Sequence, residues 1–133
     1  MTRATLYTDG GARGNPGPAA AGYVLKTAEG ETFEAGEYLG TATNNQAEYE
    51  ALQRGLARAR VAGVDQLDVY MDSELIVKQI GGEYRVKNAD LKPLYEAVCA
   101  LIAAFDRVTF QHVPRAKNKR ADQLVNEALD KQK

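Results

Sequence analysis

The alternation of apolar and polar side chains predicts five strands. In the first, Leu6 and Thr8 alternate with residues of the opposite face at a period of two, as in a half-buried strand. The second and third flank the turn-forming segment Ala28-Glu29-Gly30-Glu31, so we expect a hairpin there. The predicted strands span residues 4–9, 20–27, 32–39, 66–71 and 107–113.

Apolar residues at helical spacing predict four helices between these strands. The first begins at Thr43-Asn44-Asn45, whose side chains are good N-caps, and ends near Gly63. The others are a short helix from Ser73 to Ile80, a third capped by Asn88 or Asp90, and a last one capped by Asn118 that runs to about Asp130. The order β-β-β-α-β-α-α-β-α predicts an α/β fold, with helices packed on a mixed sheet.

The composition is that of an ordinary globular chain. Its 133 residues suit one domain with one core, residues 1–133, and 44% of them are apolar. No apolar stretch approaches the length of a membrane span, and Met1-Thr2-Arg3 leads directly into a strand, so we expect no membrane anchor and no secretory signal. The single cysteine, Cys99, excludes an internal disulfide and a cysteine-rich zinc site. We therefore expect a monomeric, cytoplasmic protein.

The net charge of −1 argues against tight, nonspecific binding to nucleic acid, because proteins that bind in this way are normally basic. Any contact with phosphates must then rest on a local patch. The densest group of cations lies next to Asp122 and consists of Arg115, Lys117, Lys119 and Arg120. Such clusters are common on protein surfaces, so this one alone does not identify a phosphate site.

Four acidic residues stand where a free carboxylate is unfavourable. Asp9 and Asp72 end apolar strand patterns, and Glu48 shares the apolar stripe of the first predicted helix. Asp122 lies one turn before Val125 on the last helix. Because the carboxyl ends of parallel strands form one rim of a sheet, Asp9 and Asp72 can be neighbours. The four residues together indicate a shared acidic site that a divalent metal would neutralise.

Four motifs, in this order, resemble those of type 1 ribonuclease H and cover nearly the whole chain. They are Thr8-Asp9-Gly10-Gly11 with Gly14-Asn15-Pro16-Gly17-Pro18, then Thr43-Asn44-Asn45-Gln46-Ala47-Glu48, then Asp72-Ser73, and finally Asn118-Lys119-Arg120-Ala121-Asp122. The resemblance implies a mixed five-stranded sheet, its first three strands antiparallel, flanked by helices. It also implies an endonuclease that hydrolyses the RNA strand of RNA–DNA hybrids with two Mg²⁺ ions, for which Mn²⁺ can substitute, leaving 3′-hydroxyl and 5′-phosphate ends.

The resemblance also assigns roles to individual residues. The metal ligands, which are the catalytic carboxylates, fall on Asp9, Glu48, Asp72 and Asp122; carboxylate oxygens are the hard ligands that Mg²⁺ prefers. The residues expected to contact the substrate are Gly10, Gly11, Asn15, Thr43, Asn44, Asn45, Gln46, Ser73 and Asn88. Asp72 is also placed to be a helix N-cap, and Asp122 is a first-turn acid that the helix dipole favours; both roles are compatible with metal binding.

The chain departs from the family pattern in its basic residues. Only the segment from Gly81 to Lys87 lies where many bacterial members carry a basic "handle" helix, so the resemblance is to compact members that lack it. In the family, three residues form a pocket for a phosphate of the DNA strand, and one of them is usually arginine. Thr41 occupies the position of that arginine, and Thr43 and Asn88 match the other two residues. We therefore expect weaker and more salt-sensitive substrate binding, or help from a partner. Some compact members also cut double-stranded RNA, which is a further candidate substrate here.

The single histidine has two interpretations. His112 lies ten residues before Asp122, the spacing of a loop histidine that assists proton transfer or product release in many members. However, Val113-Pro114 aligns with a strand end, which places His112 on the sheet and makes Arg115 the residue nearest the site. Both residues are candidates for catalytic assistance.

Two other functions compete with the nuclease. One is a noncatalytic module that binds hybrid or double-stranded RNA, against which the complete acidic set counts. The other is a nuclease or integrase of the same fold with a different substrate. The segment Thr43-Asn44-Asn45-Gln46 counts against it, because this segment matches the proteins that read hybrids.

Overall fold

A five-stranded sheet forms the centre of the protein, whose computed structural model describes residues 2–132. The strands are β1 (Arg3–Ala12), β2 (Gly17–Thr27), β3 (Thr32–Ala42), β4 (Gln66–Met71) and β5 (Arg107–His112). Their order in the sheet is β3-β2-β1-β4-β5. β1, β2 and β3 pair antiparallel, whereas β4 and β5 continue the sheet in parallel from β1. This topology confirms the predicted mixed sheet.

Four α-helices follow the first three strands, in the predicted order β-β-β-α-β-α-α-β-α. They are α1 (Asn44–Val61), α2 (Glu74–Ile80), α3 (Lys92–Ile102) and α4 (Lys119–Asp130). The part of the chain between α2 and α3, residues 81–91, forms turns and contains no helix. Among residues 2–132, no helix has both the length and the apolar character needed to cross a membrane.

The helices α1 and α4 cover opposite faces of the sheet. Leu6 of β1 is fully buried in the main core with Leu52 and Leu56 of α1. On the other face, a Cβ atom on Gly11 would lie 3.8 Å from Val125 Cγ1 of α4. Alternate residues of a strand share a face, so Asp9 points to the same side as Gly11. The packing therefore turns Asp9 toward α4.

The first strand is longer than predicted. Gly10, Gly11 and Ala12 lie beyond the predicted strand of residues 4–9, but they pair with Ala21, Ala20 and Ala19 of β2. A Cβ atom on Gly10 would lie 2.3 Å from the carbonyl group of Ala47, so glycine is required here by the close approach of α1. Small residues that suggested a turn instead allow a helix to sit against an extended strand.

Three of the predicted helix caps are wrong. Ser73, and not Asp72, holds the N-cap position of α2, where its side chain accepts from the Ile76 amide. Neither Asn88 nor Asp90 caps α3: Leu91 holds the N-cap position, and Asn88 Oδ1 accepts a bond from the Asp90 amide at 2.7 Å. Asn118 holds the N-cap position of α4, but its side chain makes no capping bond and donates instead to the carbonyl of Thr8. An unpredicted 3₁₀ turn, Arg115–Lys117, leads into α4. By contrast, Thr43 caps α1 in a capping box with Gln46.

Candidate active site

The acidic residues lie where four elements meet at one rim of the sheet. Pairing between β1 and β4 ends at Thr8 and Met71, so Asp9 and Asp72 are the next residue of each parallel strand. Glu48 reaches them from the second turn of α1, and Asp122 lies in the first turn of α4. The parallel register therefore brings Asp9 and Asp72 together, as the strand patterns predict.

Three of the carboxylates converge closely. One carboxylate oxygen from each of Asp9, Glu48 and Asp72 lies within 4.8 Å of the others. Asp9 and Glu48 are both buried, with only 7% of each residue exposed. Glu48 Oε1 accepts a hydrogen bond from the Gly10 amide at 3.1 Å, whereas its Oε2 is buried without a hydrogen-bond partner among the described residues. A buried, unpaired carboxylate oxygen is costly, and a bound cation would compensate it.

Burial and crowding raise the pKa values of two of these acids, Asp9 and Glu48. Burial, and then the charge of Asp72, raises the pKa of Asp9 from 3.8 to about 7. Burial, and then the charge of Asp9, raises the pKa of Glu48 well above its usual value, although the hydrogen bond from Gly10 opposes this. The ionised form of these carboxylates is therefore unfavourable without a counter-ion, as expected of a group of oxygen ligands that binds a divalent cation.

Asp122 lies at the edge of this group. It adds to the rise in the Asp9 pKa, and its Oδ1 lies 3.4 Å from a guanidinium nitrogen of Arg115. Arg115 is 79% exposed, so this ion pair is a surface contact. All four acids and Arg115 line one groove of about 490 Å³, together with Gly10, Gly11 and Ser73. The structure thus brings together the four predicted ligands and one of the two candidate assisting residues.

A second cavity, of about 350 Å³, adjoins this groove. It is lined by the remaining predicted substrate residues, Asn15, Thr43, Asn44, Asn45, Gln46 and Asn88, with Asp90 and Leu91. Asn44 and Asn45 line both cavities. Asn44 Oδ1 accepts from the Ala12 amide at 2.8 Å, and the Asn44 amide donates to Asn15 Oδ1 at 3.0 Å. These bonds join the loop after β1 to the start of α1, so one polar surface extends from the acidic groove.

Thr41 and His112 lie outside both of these cavities. Thr41 lines a separate small cavity with Gln46 and Glu50. His112 is the last residue of β5, exposed and paired in register with Met71. The histidine therefore lies on the sheet, whereas Arg115 reaches the groove.

Sequence reasoning missed two polar residues of the groove. Arg13 lines it from the loop after β1 and forms a 2.8 Å ion pair with Asp130 at the end of α4. Asn126 lines it from α4, one turn after Asp122. Arg13 could have been noticed as a cation inside a glycine-rich loop, but a loop has no periodicity that tells which way a side chain points. The helical spacing of Asn126 from Asp122 was an available signal.

Known proteins are similar to this chain in sequence and in architecture. A model for the family described as "Reverse transcriptase-like" matches residues 7–128. The chain is 46% identical over 129 residues to Ribonuclease HI of Halobacterium salinarum, covering 96% of this chain and 65% of that relative. It is 45% identical over 130 residues to Bifunctional protein Rv2228c of Mycobacterium tuberculosis, with 96% of this chain and 36% of the relative covered. The chain thus spans less than two thirds of the length of these relatives.

Solved structures match over the full domain. RNase H1 from Halobacterium salinarum superposes with a TM-score of 0.93 at 45% identity, covering 97% of this chain and 98% of that one. LC11-RNase H1, solved in complex with an RNA/DNA hybrid, gives a TM-score of 0.90 at 48% identity, covering 96% and 97%. Sequence, topology and the acidic cluster agree, and the chain belongs to the type 1 ribonuclease H family.

Proposed function

We propose that this protein is an endonuclease that hydrolyses the RNA strand of RNA–DNA hybrids and leaves 3′-hydroxyl and 5′-phosphate ends. The observation that carries the proposal is the convergence of Asp9, Glu48 and Asp72, which lies beside the polar surface of Asn44 and Asn45. The solved relative that holds an RNA/DNA hybrid supports the choice of substrate. Double-stranded RNA is a second candidate substrate for the same surface.

The metal that fits the site is Mg²⁺, with two ions per site and Mn²⁺ as a substitute. Asp9, Glu48, Asp72 and Asp122 would hold the ions, since carboxylate oxygens are the ligands that Mg²⁺ prefers. When bound, a pair of such ions activates the attacking water and stabilises the leaving oxygen of a phosphodiester. The unpaired Oε2 of Glu48 and the raised pKa of Asp9 support this assignment.

Other residues would bind and orient the substrate. Asn15, Asn44, Asn45 and Gln46, which line the second cavity, would contact the minor groove of a hybrid, which displays 2′-hydroxyls and base edges. Glu48 can in addition accept a bond from a 2′-hydroxyl, which would distinguish RNA from DNA. Thr43 and Asn88, in the second cavity, would hold a phosphate of the DNA strand. Gly10 and Gly11, which have no side chains, would let the substrate come close to the protein backbone. Ser73 would donate a hydrogen bond to the RNA backbone.

Arg115 would assist the reaction next to Asp122. Its guanidinium group is the cation closest to that carboxylate in the groove, at 3.4 Å, and it is exposed enough to meet a phosphate. His112 is the alternative assistant, but its place at the end of β5 favours Arg115. The 133 residues would form one domain that acts as a monomer, and residues 81–91, where the handle would lie, contain no helix.

The test is an assay of the purified protein on an end-labelled RNA–DNA hybrid. The hybrid is incubated with the protein in Mg²⁺, in Mn²⁺ or in a chelator. Duplex RNA, duplex DNA and single-stranded RNA are tested under the same three conditions. We expect metal-dependent cutting of the RNA strand in the hybrid and no cutting of duplex DNA. Binding without cutting under all metal conditions would refute the nuclease and favour a noncatalytic module that binds hybrids.

A further inference from the structure

The residue Asn118 has an unusual place at the start of α4. It is 1% exposed, and it occupies the N-cap position without making a capping bond. Its Nδ2 donates instead to the backbone carbonyl of Thr8 at 2.8 Å, a buried contact that spans 110 residues of sequence. An N-cap asparagine normally bonds to its own helix. This side chain therefore serves the tertiary structure and not the stability of α4 alone.

Asn118 links the backbone next to Asp9 with the backbone of Asp122. Thr8 directly precedes Asp9, and the backbone carbonyl of Asn118 accepts from the Asp122 amide at 3.2 Å. One residue thus contacts β1 through its side chain and the first turn of α4 through its main chain. Asp9 and Asp122 both line the acidic groove.

The distance of α4 from the sheet is fixed separately, by glycines. Asp9, Gly22 and Gly36 lie opposite one another across β1, β2 and β3. A Cβ atom on Gly22 would lie 2.7 Å from the Ala121 carbonyl oxygen, and one on Gly36 would lie 2.3 Å from the Leu124 carbonyl oxygen. The backbone of α4 therefore rests on the backbone of the sheet. These contacts set the distance of α4 from the sheet, whereas its position along the sheet depends on side-chain contacts, such as the ion pair between Arg120 and Glu34 of β3 and the bond from Asn118 to Thr8.

From these contacts we infer that Asn118 is a positioning residue, which attaches the first turn of α4 to β1 and so holds Asp122 beside Asp9 for metal binding. The inference rests on the proposed function, because it concerns the same acidic site. Groups that orient metal ligands without touching the metal commonly change its affinity 10- to 100-fold (order of magnitude) when they are removed.

Only one half of the Asn118 amide is used, which makes a sharp test possible. Nδ2 donates to Thr8, whereas Oδ1 is buried without a hydrogen-bond partner in the described part of the chain. Asn118→Leu keeps the approximate shape, removes the donor and also removes the unpaired acceptor. Asn118→Ser keeps a shorter donor and provides a second variant if the leucine variant does not fold.

The matched control is Gln79→Met. Gln79 is also a buried amide with one side-chain bond, accepting from the Tyr49 hydroxyl at 2.6 Å, and it does not line the acidic groove. Thermal unfolding is measured first, so that the control and the Asn118 variants are compared at known stability. The deciding measurement is Mn²⁺ binding to each free protein by titration calorimetry, with Mg²⁺ activation and kcat and KM for the hybrid measured in parallel.

We expect Asn118→Leu to bind Mn²⁺ about tenfold more weakly, to need more Mg²⁺ and to lose kcat with little change in KM. Gln79→Met should keep the Mn²⁺ affinity of the wild type at a similar loss of stability, and Asn118→Ser should be intermediate. Equal Mn²⁺ affinity in Asn118→Leu and the wild type would overturn the inference, as would an equal loss in the control. Failure of the wild type to cut hybrids would refute the proposed function, while the calorimetric comparison would still decide the role of Asn118.

Discussion

The acidic residues show how far a single position can be interpreted from sequence. Glu48 was predicted to be buried because it lies in the apolar phase of a helix, and it is. Asp9 was predicted to point at the same site because it ends a strand pattern, although β1 continues to Ala12. Arg13 was missed because the direction of a loop side chain depends on contacts that sequence spacing does not encode.

Asp9 gives a prediction about stability and pH. Burial and the charge of Asp72 raise the pKa of Asp9 from its ordinary 3.8 to about 7 in the folded protein, so between these pH values the folded state retains a proton that the unfolded state releases. Stability should therefore fall as the pH rises from about 4 to about 7 and then level off. Asp9→Asn should abolish this loss and exceed the wild type by about 1 to 3 kcal/mol at pH 8 in chelator, measured by denaturant unfolding at pH 5 and pH 8.

Two comparisons make the result for Asp9 specific. Asp68 has a lowered pKa, through its hydrogen bond from Thr109 and then its bond with Arg3, so Asp68→Asn should reduce stability at pH 8. Saturating Mg²⁺ should stabilise the wild type and not Asp9→Asn, because only the wild type keeps the full ligand set. An Asp9→Asn protein that still cuts hybrids would refute the metal assignment.

Arg115 and His112 give the second prediction at this scale. Arg115 contacts Asp122 in the groove, whereas His112 ends β5 outside it. Arg115→Ala should reduce kcat by about tenfold or more, and His112→Ala by less than about twofold, because only the first removes a cation beside the reacting phosphate. Arg115→Lys should recover part of the loss, since lysine restores the charge but not the planar guanidinium. A larger loss in His112→Ala would reinstate the histidine as the assisting residue.

Among the elements, periodicity predicted best where a strand or helix has one buried face. β4 was predicted with its observed bounds, and α1 ends beside Gly63 as expected. The carboxyl-terminal part of β1 was missed because Gly10 and Gly11 are as typical of turns as of strands that a helix approaches closely. What decides between the two is the packing of Ala47, which lies far away in sequence.

The caps failed for a related reason. Thr43 and Gln46 form a local capping box, which the sequence contains in full. Asn118 has an equally good cap residue type, yet its side chain bonds to Thr8 on another element. A polar side chain at a helix start can satisfy its own helix or a neighbour, and only the tertiary structure determines which. The side chain of Asn118 thus attaches the start of α4 to β1, next to Asp9.

For the whole molecule, the balance of charge determines how it can bind a polyanion. The net charge is −1, and several basic residues are already engaged, as Arg13 is with Asp130 and Arg120 is with Glu34. Affinity for a hybrid must then depend on a few local cations and on polar contacts in the two cavities. Each phosphate contact contributes roughly one unit to the slope of log affinity against log salt, so the expected slope is small.

Arg85 and Lys87 are the cations to test, because both are exposed and lie in the segment that leads to Asn88 of the second cavity. Lys87 directly precedes Asn88, whereas Arg85 lines a separate cavity with Tyr84 and Tyr95. Replacing both with alanine should weaken binding at low salt and reduce the magnitude of the salt slope by up to about 2. Binding is measured by fluorescence anisotropy with a labelled hybrid in Mg²⁺, on an Asp9→Asn background that prevents cutting. The charge-matched control replaces Lys26 and Arg107, which are exposed at the end of the sheet opposite the acidic site. An equal loss in both double variants would mean that the hybrid responds to overall charge, whereas a loss confined to Arg85 and Lys87 would place a phosphate beside Asn88.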